Sequence, residues 1–139
     1  MIYIASDHAG FQLKREITNS FDCEYIDLGT DSDVSCDYPI YAHDVCKRVL
    51  ESVYNRGILI CGTGTGMSIC ANKVSGIRAA NCWSAEIAAL AREHNNINVL
   101  CLGARFISAS VALDIVHSFI YTQFSKEPRH IKRLDMIEN

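Results

Sequence analysis

Long apolar runs are missing from this chain of 139 residues. None approaches the ~20 residues that a membrane span requires, so no membrane association is expected. Basic charge is also scarce: 13 Lys and Arg stand against 16 Asp and Glu, a net charge of −3. That balance excludes a surface built as a whole for nucleic acid and leaves anion binding to local clusters of Arg and Lys. There is no low-complexity tract, linker or internal repeat. The opening segment, Met1 to His8, lacks the basic start and apolar stretch of a secretion signal. No Cys-x-x-Cys pair occurs among the seven cysteines, Cys23, Cys36, Cys46, Cys61, Cys70, Cys82 and Cys101. An odd count, with Cys61, Cys70, Cys82 and Cys101 in apolar or small-residue surroundings, points away from a disulfide frame or zinc site. It points toward reduced thiols and a cytoplasmic location.

What is present suits one compact unit. Hydrophobic residues make up 49 % and charged residues 21 % of the chain, and the length suffices to bury a core. A single domain over 1–139 is expected, with a basic C-terminal helix over 126–139. Short apolar segments alternate with helical ones. Strands are expected at 2–6, 24–28, 57–61, 78–82 and 99–102. Helices are expected at 10–20, from Pro39 to about Tyr54, at 67–73, from Ser84 to His94, from Ser108 or Ser110 to about Phe124, and after Pro128. Residues 29–38 read as a polar loop. Such alternation implies βαβ crossovers: an α/β, three-layer Rossmann-like sandwich around a mostly parallel sheet of about five strands. Ligands in such sheets bind beyond the carboxyl ends of strands.

The strongest local signal lies at one such end, Cys61-Gly62-Thr63-Gly64-Thr65-Gly66. Alternate glycines let the backbone turn tightly and aim N–H groups at one point, where a phosphate or an enediolate oxygen fits. A thiol beside such a turn is available as base or nucleophile. The same residues also suit a plain tight turn around an inert, buried thiol. A P-loop would need Lys after its last glycine, and Met67 stands there. A dinucleotide fingerprint spaces its glycines differently and follows the first strand. A cysteine-phosphatase loop would place Arg at position 67.

Three further groups bear chemistry. Asp7-His8 follows the first strand, where Asp7 fits a helix N-cap or an acid–base pair with His8. His94 and Asn95 end a helix, a position that itself favours a cation. Arg129 and Arg133 are four apart, so a helix puts both on one face, suited to a phosphate or simply to solvent.

Taken in order, Ser6-Asp7-His8-Ala9-Gly10-Phe11, Asp37-Tyr38-Pro39, Gly57 to Gly64, Ala71-Asn72-Lys73, Gly76-Ile77-Arg78-Ala79, Glu93-His94-Asn95, Asn98-Val99-Leu100, Gly103-Ala104-Arg105 and Arg129-His130 carry a family resemblance. Across nearly its whole length the chain resembles the type B ribose-5-phosphate isomerases, a family that includes galactose-6-phosphate isomerase subunits. The resemblance implies aldose–ketose isomerisation of a pentose 5-phosphate, no metal or organic cofactor, and a homodimer, sometimes a tetramer, with sites at the subunit interface. It implies that Cys61 is the base, because one branch uses a Glu at the position of Met67 and Met67 cannot accept a proton. It places Thr63 beside the transferring proton and gives His94 and Asp7 the ring opening. His8, Arg105, Arg129 and Arg133 would hold phosphate, and Tyr38 and Asn95 the sugar, around the Gly62, Gly64 and Gly66 backbone. Two alternatives are a hexose 6-phosphate isomerase and a nucleotide-binding regulatory module, the latter needing neither Cys61 nor His94.

Overall fold

The computed structural model describes all residues, Met1–Asn139. Five strands form one sheet: β1 (Ile2–Ser6), β2 (Tyr25–Asp27), β3 (Arg56–Cys61), β4 (Ala79–Asn81) and β5 (Val99–Gly103). Their order is β2-β1-β3-β5-β4, and every pairing is parallel. Chain order reverses between β1 and β3, which makes their carboxyl ends a switch point.

Period-two alternation in the central strands builds both faces. Ile58 and Ile60 join Ile4, Leu100, Leu102, Ile115 and Phe119 on one side. Leu59 and Cys61 join Tyr3, Val45, Met67, Val99 and Cys101 on the other. Helices α1 (Phe11–Ser20), α4 (Ala85–Asn95) and α5 (Ala109–Tyr121) cover the first face. Helices α2 (Tyr38–Val49) and α3 (Thr65–Asn72) cover the second. The result is a three-layer α/β sandwich. Truncating a fully buried member such as Leu100 to Ala should cost roughly 2–5 kcal/mol.

Helix limits follow local chemistry. Ser84 Oγ accepts from Ile87 N–H at 3.3 Å and starts α4. Ser108, not Ser110, caps α5, accepting from Val111 N–H at 3.2 Å. Pro39 sits in the first turn of α2. That helix stops at Val49, well short of Tyr54, because Asn55 Nδ2 donates to Arg48 O at 2.8 Å and folds 50–55 into a turn. Helix α5 likewise ends at Tyr121 rather than Phe124, as Thr122 turns extended. Before α1, a 3-10 turn spans His8–Gly10.

Helix α6 (Pro128–Glu138) buries His130 and Leu134 and leaves Ile131, Met136 and Ile137 exposed. Edge strand β4 is bracketed by one side chain: Asn72 Oδ1 accepts from Ala79 N–H and Asn72 Nδ2 donates to Ala79 O, both at 2.9 Å. All seven cysteines are free; Cys46, Cys61, Cys82 and Cys101 are buried, while Cys70 is only half-buried. No helix is long and apolar enough to cross a membrane.

Candidate active site

At the carboxyl end of β3 the chain turns through Gly62–Gly64 into α3. Gly64 has φ +77, a left-handed conformation that favours glycine. This turn brings Gly64 N–H to Cys61 Sγ at 3.2 Å. Cys61 is buried, so its sulfur holds this backbone donor away from solvent. The other buried thiols have no such turn. Burial pushes Cys46 up to about 12, with Cys70 adding to it, and Cys82 up to about 11. Burial also raises Cys101 well above its ordinary value.

The glycine turn divides its donors. Gly64 N–H goes to Cys61 Sγ and Thr65 N–H goes to Thr63 Oγ1 at 3.2 Å. The Gly62, Thr63 and Gly66 N–H groups have no protein acceptor, so those three, rather than the whole Gly62–Gly66 run, are free for an oxyanion. Because Thr63 Oγ1 accepts, its own hydrogen is free to donate. Asn81 holds the turn from below, Nδ2 donating to Thr63 O at 3.1 Å. A polar residue closing the short strand β4 was the only sequence sign of that role.

Neighbouring loops converge on this turn. Asp7 N–H donates to Ile60 O at 3.1 Å, tying the end of β1 to that of β3. One oxygen of the buried Asp7, Oδ1, caps the 3-10 turn, accepting from Ala9 and Gly10 N–H at 3.0 and 3.2 Å. Its other oxygen has no protein donor, so capping and acid–base work are compatible. His8 Nδ1 accepts from Cys36 N–H at 3.2 Å, a contact from the polar loop that the sequence did not announce. The bond leaves the proton of neutral His8 on Nε2. Arg105 N–H donates to Gly62 O at 3.1 Å. Its side chain lies over the turn: a Cβ on Gly62 would meet Arg105 Nη1 at 3.0 Å. A Cβ on Gly66 would meet Tyr38 Oη, also at 3.0 Å. Asp7, His8, Tyr38, Cys61, Thr63, the three glycines and Arg105 thus form one group.

His94, Asn95, Arg129 and Arg133 do not join it. Helix α4 runs back along the sheet, and the segment after it lies beneath the strand starts. Asn98 O accepts from Gly57 N–H at 2.9 Å and Asn98 Oδ1 from Arg78 N–H at 2.8 Å. Helix α6 is attached there, with Glu138 on Arg78 at 2.6 Å and the His130 ring 4.4 Å from that of His94. Cys61 stands five residues up β3 from Arg56, roughly 16 Å at the usual strand rise. One chain therefore holds the two halves at opposite ends of its sheet. Arg129 and Arg133 are exposed, and Arg129 meets only Glu127, at 3.6 Å. His130, which packs on His94, bonds Ser125 Oγ through Nδ1 at 2.9 Å. Burial, then the charges of His94, Arg129 and Arg133, lowers its pKa.

Comparison with known proteins gives one answer. A family profile described as ribose/galactose isomerase matches residues 2–137. The chain is 41 % identical to ribose-5-phosphate isomerase B of Mycolicibacterium paratuberculosis, over 98 % of this chain and 88 % of that protein. It superposes on ribose-5-phosphate isomerase B of Thermotoga maritima with a TM-score of 0.95 at 47 % identity, covering 99 % of this chain and 96 % of the other. The Mycoplasma genitalium ribose-5-phosphate isomerase B, solved with bound ribulose 5-phosphate, superposes at 0.90 with 44 % identity, over 99 % and 93 %.

Proposed function

The chain belongs to the ribose/galactose isomerase family, and from that premise we propose that it interconverts ribose 5-phosphate and ribulose 5-phosphate through a cis-enediolate. The observation that carries the chemistry is the Gly64 N–H on the buried Cys61 sulfur at 3.2 Å. A thiolate held there is a base at the carboxyl end of a central strand. The bound furanose must first open, which requires a proton donor and acceptor at the ring oxygen and anomeric hydroxyl. His94 and the free oxygen of Asp7 serve that step. Cys61 then removes the C2 proton of the aldose. Charge develops on oxygen, where the free Gly62, Thr63 and Gly66 N–H groups stabilise it. The Thr63 hydroxyl relays a proton between O1 and O2, and reprotonation at C1 yields the ketose. Neither electron acceptor nor metal is needed for this sequence.

Since one chain separates Cys61 from His94, Arg129 and Arg133, the working site is composite. In a two-fold dimer the carboxyl-end group of one protomer meets the α4–α6 end of the other, and symmetry completes two sites. Apolar side chains support a covered face: Ile69 is 59 %, Trp83 66 % and Phe106 77 % exposed. Large exposed apolar groups of this kind mark contact surfaces when clustered. His8, Arg105, Arg129 and Arg133 then hold the phosphate, with Tyr38 and Asn95 on the sugar. Remote phosphate contacts hold the reacting carbons in register. Residues 1–139 act as one isomerase domain, in the cytoplasm and within pentose phosphate metabolism.

The test is turnover of ribose 5-phosphate with EDTA present, in deuterated water, beside a panel of hexose 6-phosphates. Ribulose 5-phosphate carrying deuterium at C1 is the expected product. Absence of turnover on every phosphopentose would overturn the reading, and faster turnover of a hexose 6-phosphate would move the substrate class.

A further inference from the structure

A second basic cluster lies at the amino-terminal end of the sheet, apart from the groups assigned above. Tyr54, Arg56, Arg92, Asn96, Phe124 and Lys126 line a cavity of about 500 Å³. Arg92 is 3 % exposed. Its Nε donates to Thr122 O at 3.3 Å, and Nη1 donates to Asn96 Oδ1 at 2.9 Å and to Ile97 O. Those bonds tie the end of α4 to its surroundings. They leave Nη2 without a protein acceptor. Arg56 uses Nη1 alone, on Val53 O and Asn55 O at 3.0 and 2.8 Å. Its Nε and Nη2 are also uncommitted.

Charge balance is the telling feature. Neither Arg56, Arg92 nor Lys126 forms a salt bridge. Neighbouring Arg78 does, with Glu138 at 2.6 Å. Carbonyl dipoles satisfy donors but supply no counter-charge, and a buried cation without one is costly. The cost is visible: burial, then the charges of Arg56 and Arg78, lowers Arg92 to about 10. Burial and Arg78 likewise lower Arg56. An anion entering the cavity relieves both effects. Guanidinium forks suit phosphate oxygens in particular. Beside them, the rings of Tyr54 and Phe124 offer an apolar wall of the kind that small-molecule sites use.

We propose that this cavity is a second anion site, in which Arg92 Nη2, Arg56 and Lys126 hold the phosphate of a phosphorylated small molecule whose organic body lies against Tyr54 and Phe124. The site is independent of isomerisation, and its test reads binding alone. Phenyl phosphate is the probe, titrated calorimetrically into the full chain. An Arg129→Ala, Arg133→Ala background removes the arginine pair proposed for the sugar-phosphate site. That background is expected to bind one phenyl phosphate per chain, displaceable by inorganic phosphate. Adding Arg56→Gln should weaken binding at least tenfold. Lys126 is exposed and makes no protein contact through its ammonium group, so Lys126→Gln keeps the fold and decides the matter if Arg56→Gln does not fold. It should weaken binding about threefold or more. No binding to the background chain, or undiminished binding after Lys126→Gln, overturns the proposal.

Discussion

The two ends of the sheet hold the side chains of the proposed site by different means. At the carboxyl end, backbone does the positioning. Asp7 is tied to Ile60 O, Arg105 to Gly62 O and Gly64 to the Cys61 sulfur. Close approach leaves little slack: a Cβ on Gly103 would lie 2.6 Å from Thr63 O. At the amino-terminal end, His94 sits at the end of α4 and the Arg129–Arg133 pair on the exposed face of α6, and the arginines make almost no contact within their own chain. The first end is organised by backbone bonds within one chain; the arginines of the second are exposed. Bases need placement to a fraction of an ångström, whereas a long cation needs only reach.

Substitutions at each end should therefore fail differently. The largest effect is expected at Cys61. Cys61→Ser should keep the fold and lose roughly 10²–10⁴ in kcat, the usual worth of a positioned base. Near-normal kcat with continued deuterium washout at C2 would remove Cys61 from that role. Next come Arg129→Ala and Arg133→Ala. Each deletes a charge-assisted contact worth roughly 1.5–3 kcal/mol, so KM should rise about 10- to 150-fold with kcat less affected. If both variants keep the parental KM, the basic face of α6 is only a solvated one.

Mixing inactive chains tests whether the two ends meet across a dimer. Cys61→Ser and His94→Ala chains, exchanged at equal amounts, should recover about a quarter of parental activity. Half the dimers are mixed, and each has one intact site of two. No recovery despite proven exchange would place Cys61 and His94 in the same site from one chain.

The smallest effect concerns pH. The folded pKa of His130 lies below its unfolded value near 6.5. The unfolded chain thus binds the proton more readily, and stability rises with pH in that range. It should be lost as pH falls from about 6.5 toward the folded pKa. Hydrogen exchange in α6 should quicken over this interval, and His130→Gln should abolish the pH dependence. An unchanged profile in that variant would assign the effect to another group.

How much of this was legible in the sequence depended on the range of the forces involved. The strands expected at 57–61 and 99–102 are continuous apolar runs, and the glycine turn announces itself by composition. Helix α2 is shorter than its sequence pattern predicts because Asn55 closes the turn through a side-chain bond to Arg48 O, which no periodicity reveals. Cys36 on His8, and Asn81 on Thr63, are likewise contacts between distant segments. Above all, the motif order brings Cys61 and His94 into one list without saying that they occupy opposite ends of the sheet. That separation emerges only from the direction in which α4 returns.

Asn72 has a consequence for how copies of the chain meet. An open strand edge is a template on which other chains polymerise. Here one amide group occupies both the donor and the acceptor of Ala79, the first residue of edge strand β4. At this edge, a foreign strand would have to displace Asn72 before it could pair with Ala79. Association is steered instead toward side chains, where shape and charge discriminate between a proper mate and a stray one. Asn72→Ala should betray this by raising turbidity on prolonged warming before any change in the cooperative melt.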